Sequence, residues 1–164
     1  MPRLEAPLPE VYVQPGESHL VTGPTILRTV LGSCVGIAFL APRLGAGALC
    51  HPMLPACPAG LSAERNQAAG RRYVDFAIRD LAGRFDALGA QRSEVQVKLF
   101  GGADVLAAIN AATRPTVGRL NCEAALRGLR THGFAVVASS LGGTTGMNIQ
   151  FNTETGEVLL RRLG

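Results

Sequence analysis

The alternation of apolar and polar residues in the first third of the chain predicts β-strands. Apolar or alternating runs, separated by turn residues, cover residues 10–13, 25–31, 35–40 and 48–54. Residues 41–47 contain two glycines and a proline, which predicts a hairpin between the last two runs. Residues 1–9 carry three prolines and predict an irregular lead-in.

Two segments have the helical period instead. Between residues 74 and 88, apolar side chains recur at alternating steps of four and three, at Val74, Ile78, Leu81, Phe85 and Leu88. Gly89 is a natural end for this helix. A second helix is predicted from Val117 to His132, before Gly133.

The remaining pattern predicts strands at residues 95–100 and 134–138, a glycine-rich bend at 141–146, and a hairpin of 147–152 with 157–162. Residues 55–65 are rich in Pro, Ala and Gly and predict an exposed loop. No repeat or linker divides the chain. We therefore expect a single domain over residues 1–164, of the α+β class, with packed mixed β-sheets flanked by two long helices.

Composition narrows the class of protein. The chain is 47% hydrophobic, which excludes a disordered protein, and it lacks the run of about 20 apolar residues that a membrane span needs. The first five residues lack the layout of a signal peptide, so we expect a cytoplasmic protein. The net charge of +4 comes from dispersed basic residues, which argues against nucleic-acid binding and suits either an acidic partner or solubility alone.

Four cysteines and three histidines raise the question of a metal site, disulfides or a reactive thiol. No Cys-x-x-Cys pair occurs and only three histidines are present, so we do not expect a metal site. Two disulfides are not expected in a cytoplasmic chain. A single activated thiol then remains to be considered.

Cys34 is the cysteine with the most unusual position. It follows a predicted strand, and Gly32 and Ser33 lie between the two. These small residues allow a sharp bend that exposes the thiol. Their N–H groups can form an oxyanion pocket. His51 lies on the far arm of the predicted hairpin, where antiparallel pairing can bring it to Cys34 as its base. Thr29, Thr25 and Ser33 are local candidates to orient the imidazole. The alternatives stay open: a cysteine in an apolar run is commonly a core residue, and a lone histidine a structural hydrogen-bonder.

Several ordered motifs resemble the CheD family, the chemoreceptor glutamine deamidases of bacterial chemotaxis. The motifs cover residues 29–35, 51–55, 72–75, 88–90, 98–103, 141–144 and 155–159. The resemblance implies a CheD-like sandwich, similar to certain bacterial toxin deamidases. It also implies hydrolysis of glutamine side chains to glutamate in the cytoplasmic helices of methyl-accepting chemoreceptors. Some members also cleave glutamate methyl esters, and family members bind the phosphatase CheC.

Carried over by motif, the resemblance makes Cys34 the nucleophile and His51 the general base and acid, with no cofactor. The family's third catalytic residue is a threonine whose column falls on Arg28, so the adjacent Thr29 is the expected orienting group. The family commonly has Asn where this chain has Cys50. These two departures favour an alternative hypothesis, a binding module that engages chemoreceptors or a CheC-like phosphatase without turnover. A third hypothesis is a cysteine amidase or esterase acting on another protein.

Overall fold

A computed structural model describes residues 5–62, 66–105 and 115–164, and within these ranges the chain forms nine strands and three α-helices. The strands are β1 (Glu10–Tyr12), β2 (Ser18–Thr22), β3 (Ile26–Leu31), β4 (Val35–Ala41), β5 (Ala46–Cys50), β6 (Gln96–Gly101), β7 (Ala135–Leu141), β8 (Met147–Asn152) and β9 (Val158–Arg162). The helices are α1 (Gln67–Gly70), α2 (Val74–Ala87) and α3 (Val117–Thr131).

The strands form two mixed sheets. One has five strands in the order β2-β5-β4-β6-β7, and the other has four in the order β1-β3-β8-β9. The pairs β1–β3 and β6–β7 are parallel, and the other pairs are antiparallel. The predicted α+β class with packed mixed sheets is confirmed. No helix among the described residues has both the length and the apolar character needed to cross a membrane.

Strand β4 lies at the centre of the core, and its residues alternate between two apolar clusters. Val35, Ile37 and Phe39 pack in the cluster that includes the buried faces of α2 and α3. Ala38 and Leu40 pack in a second cluster, between the two sheets. The five-stranded sheet is therefore the middle layer, covered by the helices on one face and by the four-stranded sheet on the other.

Most predicted elements are observed, with shifted boundaries. The strand predicted at residues 48–54 is β5, which ends at Cys50. Pro52 has no N–H for further pairing, and the His51 backbone bonds to Gly16 and Glu17, which lie before β2. Leu88, predicted on the buried face of α2, is 39% exposed because the helix ends before it. Residues 1–4 of the predicted lead-in and 63–65 of the predicted loop lie outside the described residues.

Strand β2 was not expected from the sequence, although it supports the predicted site. Its five residues mix polar and apolar side chains without strict alternation, so they have little strand signal. β2 pairs with β5 along its whole length. Just before it, the Glu17 carbonyl accepts from the His51 N–H (2.9 Å) and the Gly16 N–H donates to the His51 carbonyl (2.7 Å), which fixes the His51 backbone.

Candidate active site

Thr29 and His51 meet between the two sheets. Thr29 lies in β3 between Leu27 and Leu31, which both point into the intersheet cluster. His51 continues β5 two residues after Leu49, which faces the same cluster. Since side chains alternate along a strand, both residues point into the space between the sheets. Thr29 Oγ1 lies 2.7 Å from His51 Nδ1, and the histidine is only 2% exposed.

The hydrogen bonds of Thr29 determine which imidazole nitrogen carries the proton. The Thr29 hydroxyl has a single hydrogen, and it donates to the Val13 carbonyl at 2.7 Å. The hydroxyl oxygen must then accept from His51 Nδ1–H. In the neutral ring this leaves Nε2 unprotonated and able to accept a proton.

Arg28, the neighbour of Thr29, points the other way. Its guanidinium pairs with Glu10 at 2.9 Å on the outer side of the four-stranded sheet. The one-residue offset between Arg28 and Thr29 thus places the hydroxyl, and not the guanidinium, on the inner face.

Cys34 lies on the bend between β3 and β4, where the chain crosses from one sheet to the other. Three successive carbonyls of this bend accept hydrogen bonds: Gly32 from Ala103 N–H (2.9 Å), Ser33 from Asn121 Nδ2 (2.9 Å) and Cys34 from Gly102 N–H (2.8 Å). The N–H groups of Ser33 and Cys34 donate to no residue that the structure describes. The Cys34 N–H also lies near the sulfur of the same residue, where it favours the thiolate and so lowers the pKa of the thiol. Two N–H groups beside a thiol that donate to no other residue can stabilise an oxyanion.

Burial shifts both candidate catalytic groups toward their neutral forms. It raises the pKa of the Cys34 thiol. It lowers the pKa of His51 from 6.5 to about 4, although the Val13 carbonyl partly opposes this shift. Within the described residues, the thiol makes no hydrogen bond to the imidazole. The resting pair is therefore a neutral thiol and a neutral imidazole.

The low pKa of His51 makes stability depend on pH. The folded protein binds this proton less readily than the unfolded chain, so acidification from 6.5 toward 4 favours unfolding. We expect wild type to lose about 2 kcal/mol more of its free energy of unfolding than H51Q does between about pH 7.5 and pH 5. Urea denaturation at both pH values measures this difference. Equal losses in the two proteins would contradict the lowered pKa, because every other titrating group is common to both.

The bend that carries Cys34 rests on closely packed glycines. Gly102 has a φ of +65°, and a Cβ there would collide with Cys122 Sγ and lie 2.8 Å from the Gly118 carbonyl. A Cβ on Gly118, in the first turn of α3, would collide with the Ala103 carbonyl. Helix α3 therefore packs directly against the backbone that holds Gly32 and Cys34.

Replacing Gly102 by alanine should destabilise the protein by about 3 kcal/mol, because strain at a positive φ adds to a steric clash. Gly142 is the matched control: its φ is +78° and a Cβ there meets nothing within 4 Å. G142A should cost only about 1 kcal/mol. Chemical denaturation compares the two variants, and equal losses would show that the packing at Gly102 is not tight.

The other three cysteines have different environments. Cys50 is buried in the cluster beneath the helices, on the face of β5 opposite His51, and burial raises its pKa to about 12. Cys57 and Cys122 are partly exposed, and all four cysteines are free thiols. Among the described residues, no three His, Cys, Asp or Glu side chains are grouped so that they could hold a metal.

Asn121 contacts the site although sequence reasoning did not assign it a role. It is fully buried on α3, and its Nδ2 donates to the carbonyls of Ser33 (2.9 Å) and Met53 (3.0 Å). A signal was present: Asn121 is one turn before Ala125 on the apolar face of the helix, where a polar side chain needs a partner.

Comparisons with known proteins agree on a family. The model of the family described as CheD chemotactic sensory transduction matches residues 53–162. A Geobacter sulfurreducens protein named probable chemoreceptor glutamine deamidase CheD 2 is 43% identical over 156 residues, covering 95% of this chain and 91% of the relative. The chemoreceptor glutamine deamidase CheD of Halalkalibacterium halodurans is 32% identical, covering 92% of each chain.

A solved structure shares the fold at low identity. It is a Neisseria meningitidis protein of the DUF152 family, with a TM-score of 0.51 and 14% sequence identity. The match covers 84% of this chain but only 65% of that protein. The similarity concerns the arrangement of sheets and helices alone.

Proposed function

Because this chain belongs to the CheD family, we propose that it is a chemoreceptor glutamine deamidase, a hydrolase that converts selected glutamine side chains to glutamate in bacterial chemotaxis. The observation that carries the proposal is the 2.7 Å contact between Thr29 Oγ1 and His51 Nδ1. This contact leaves Nε2 of a buried imidazole as the free base. Cys34 lies nearby in sequence and topology, on the bend directly after the strand of Thr29.

The proposed reaction proceeds through a thioester. His51 Nε2 takes the proton of the Cys34 thiol as the sulfur attacks the carbonyl carbon of the glutamine amide. The N–H groups of Ser33 and Cys34 stabilise the negative oxygen, and the N–H of Gly32, predicted from the sequence to share this role, is a third candidate donor. The imidazolium then gives its proton to the amide nitrogen, and ammonia leaves. His51 next activates a water molecule, which hydrolyses the thioester to glutamate and restores the thiol.

The neutral resting pair is consistent with this sequence of steps. Because burial disfavours both charges, the thiolate and the imidazolium form together when the proton transfers, and each stabilises the other. The proposed steps use only protein groups and water.

Thr29 is proposed to hold the imidazole in the reactive tautomer. In T29V, which has a similar volume, Nδ1–H loses its hydroxyl acceptor, and we expect kcat to fall by about 10–100-fold with little change in KM. T29S keeps the hydroxyl and should retain most of the activity. Steady-state kinetics on a receptor fragment measures both variants. Equal kcat values for T29V and T29S would contradict the orienting role.

The proposed substrate and setting are those expected for a member of the CheD family. The substrate class is the cytoplasmic helices of methyl-accepting chemoreceptors, which implies a cytoplasmic enzyme, and a CheC-type phosphatase is a second candidate partner. The net charge of +4 would favour contact with an acidic protein surface.

The deamidase is preferred over the binding module because the two departures from the family pattern have structural explanations. Arg28 points away from the intersheet space, and Thr29 supplies the hydroxyl. Cys50 points into the core on the far face of β5. Neither residue obstructs the proposed chemistry.

The direct test incubates the protein with a chemoreceptor cytoplasmic fragment and follows glutamine-to-glutamate conversion by mass spectrometry of its peptides. We expect conversion at a few defined glutamines, with release of one ammonia for each. Absence of conversion, with binding of the fragment retained, would refute deamidase activity and support the binding module. Equal conversion of unrelated glutamine peptides would instead indicate a general amidase.

A further inference from the structure

Asn121 joins the two segments that carry the proposed catalytic pair. One hydrogen of its side-chain amide goes to the carbonyl of Ser33, the residue before Cys34. The other goes to the carbonyl of Met53, two residues after His51. Thr29 fixes the imidazole ring, but it does not fix the distance between the His51 segment and the Cys34 bend.

The orientation of the Asn121 amide is determined by these two carbonyls. Reversing the amide would place Oδ1 against two other oxygens, so Nδ2 must face them. As a result Oδ1 is buried and has no hydrogen-bond partner among the described residues. A buried oxygen without a partner is destabilising, so Asn is a poor choice for stability alone at this position.

The helix that carries Asn121 packs closely against the Cys34 bend. Gly118 is one turn before Asn121, and it lies so close to the carbonyls of Gly102 and Ala103 that a Cβ on it would collide with them. The N–H groups of these same two residues hold the carbonyls of Cys34 and Gly32. Helix α3 thus contacts the Cys34 bend both through backbone packing and through the Asn121 side chain.

We propose that Asn121 is a positioning residue for the deamidation, which sets the separation of Cys34 and His51 by clamping the Ser33 and Met53 carbonyls. This inference rests on the proposed function. Asn121 acts through the two segments that it ties together. Without the clamp, the thiol and the imidazole remain in place individually but lose their mutual alignment.

The test measures how strongly His51 affects the reactivity of Cys34. Asn121→Leu keeps the approximate shape of the side chain and removes both hydrogen-bond donors. Asn121→Ala also removes both donors, with a smaller side chain, and is used if the leucine variant does not fold. Leu129→Ala is the matched control, because it removes buried volume from the same helix without touching the bend. Each protein is made with and without H51Q, and circular dichroism verifies folding.

Alkylation of Cys34 by iodoacetamide is followed on its own peptide by mass spectrometry. In wild type and Leu129→Ala, H51Q should slow this alkylation about tenfold or more. In Asn121→Leu and Asn121→Ala, alkylation should already be slow, and H51Q should change it by less than about twofold, as expected for lost coupling. An H51Q effect in the Asn121 variants as large as in Leu129→Ala overturns the proposal.

Kinetics on the receptor fragment give a second readout. We expect kcat of the Asn121 variants to fall by about 100-fold with KM nearly unchanged, as for a small misplacement of reacting groups. A kcat equal to that of Leu129→Ala would show a merely structural role. The alkylation measurement needs no receptor. Failure of wild type to deamidate would therefore refute the proposed function, and the alkylation rates would still show whether Asn121 aligns Cys34 with His51.

Discussion

C34A is expected to abolish glutamine deamidation, with a loss of at least about 10⁴-fold in kcat. The proposed thioester needs a sulfur at this position, and no other cysteine can replace it. Cys50 faces the opposite side of its strand, and Cys122 lies on α3 against the carbonyls of Gly101 and Gly102. The measurement is the rate of glutamine-to-glutamate conversion in a chemoreceptor fragment.

The matched control for this prediction is C57A. Cys57 is also a free, partly exposed thiol, but it lies in a loop near Asp75, outside the site. C57A should deamidate at the wild-type rate, and C34A should keep both its fold and its binding to the fragment. Conversion by C34A at the wild-type rate would refute the thioester mechanism. Unchanged receptor signalling in C34A would support the binding module instead.

H51Q is expected to lower kcat/KM by about 10³-fold or more, because in the proposed mechanism His51 is both the base for the thiol and the acid for ammonia. Glutamine can still contact Thr29, but it cannot carry a proton between sulfur and nitrogen. In wild type, burial lowers the pKa of His51 to about 4, so the imidazole stays neutral down to about that pH. The acid limb of kcat/KM should therefore lie near pH 4, where an ordinary histidine would place it near 6.5.

H19Q provides the control for the histidine. His19 lies on β2 at the surface, 3.1 Å from Glu17, and a change there leaves the intersheet space intact. We expect H19Q to match wild type in rate and in pH profile. An H51Q protein with the activity of H19Q would remove His51 from the mechanism, and a wild-type acid limb near 6.5 would contradict its lowered pKa.

The position of Thr29 could be predicted from the alternation in β3. Leu27 and Leu31 flank it at steps of two, so a strand that buries these leucines also buries the threonine and points Arg28 outward. The same period in β5 places Leu49 and His51 on one face and Cys50 on the other. Most of the strands and the two long helices were predictable for the same reason, because the period of the apolar residues indicates which face of an element is buried.

The contacts that hold the bend could not be predicted in this way. These contacts join residues that are far apart in the chain. They are the pairing of β2 with β5, the hydrogen bonds from the Gly102 and Ala103 N–H groups, and the hydrogen bonds of the Asn121 side chain. They depend on backbone geometry and close packing, which produce no periodic pattern. A buried polar residue such as Asn121 shows only that a partner is needed, and the fold decides which one.

The placement of Thr29 in one sheet and of His51 beside the other has a consequence for how the enzyme fails. The imidazole has its hydroxyl partner only while the two layers are docked, and the Cys34 bend is the crossover between them. In a partly assembled molecule with either layer formed alone, His51 would lack the hydroxyl that orients it as the proposed base. Under the proposed mechanism, activity therefore requires that the two layers be docked, and thermal inactivation should coincide with loss of tertiary structure.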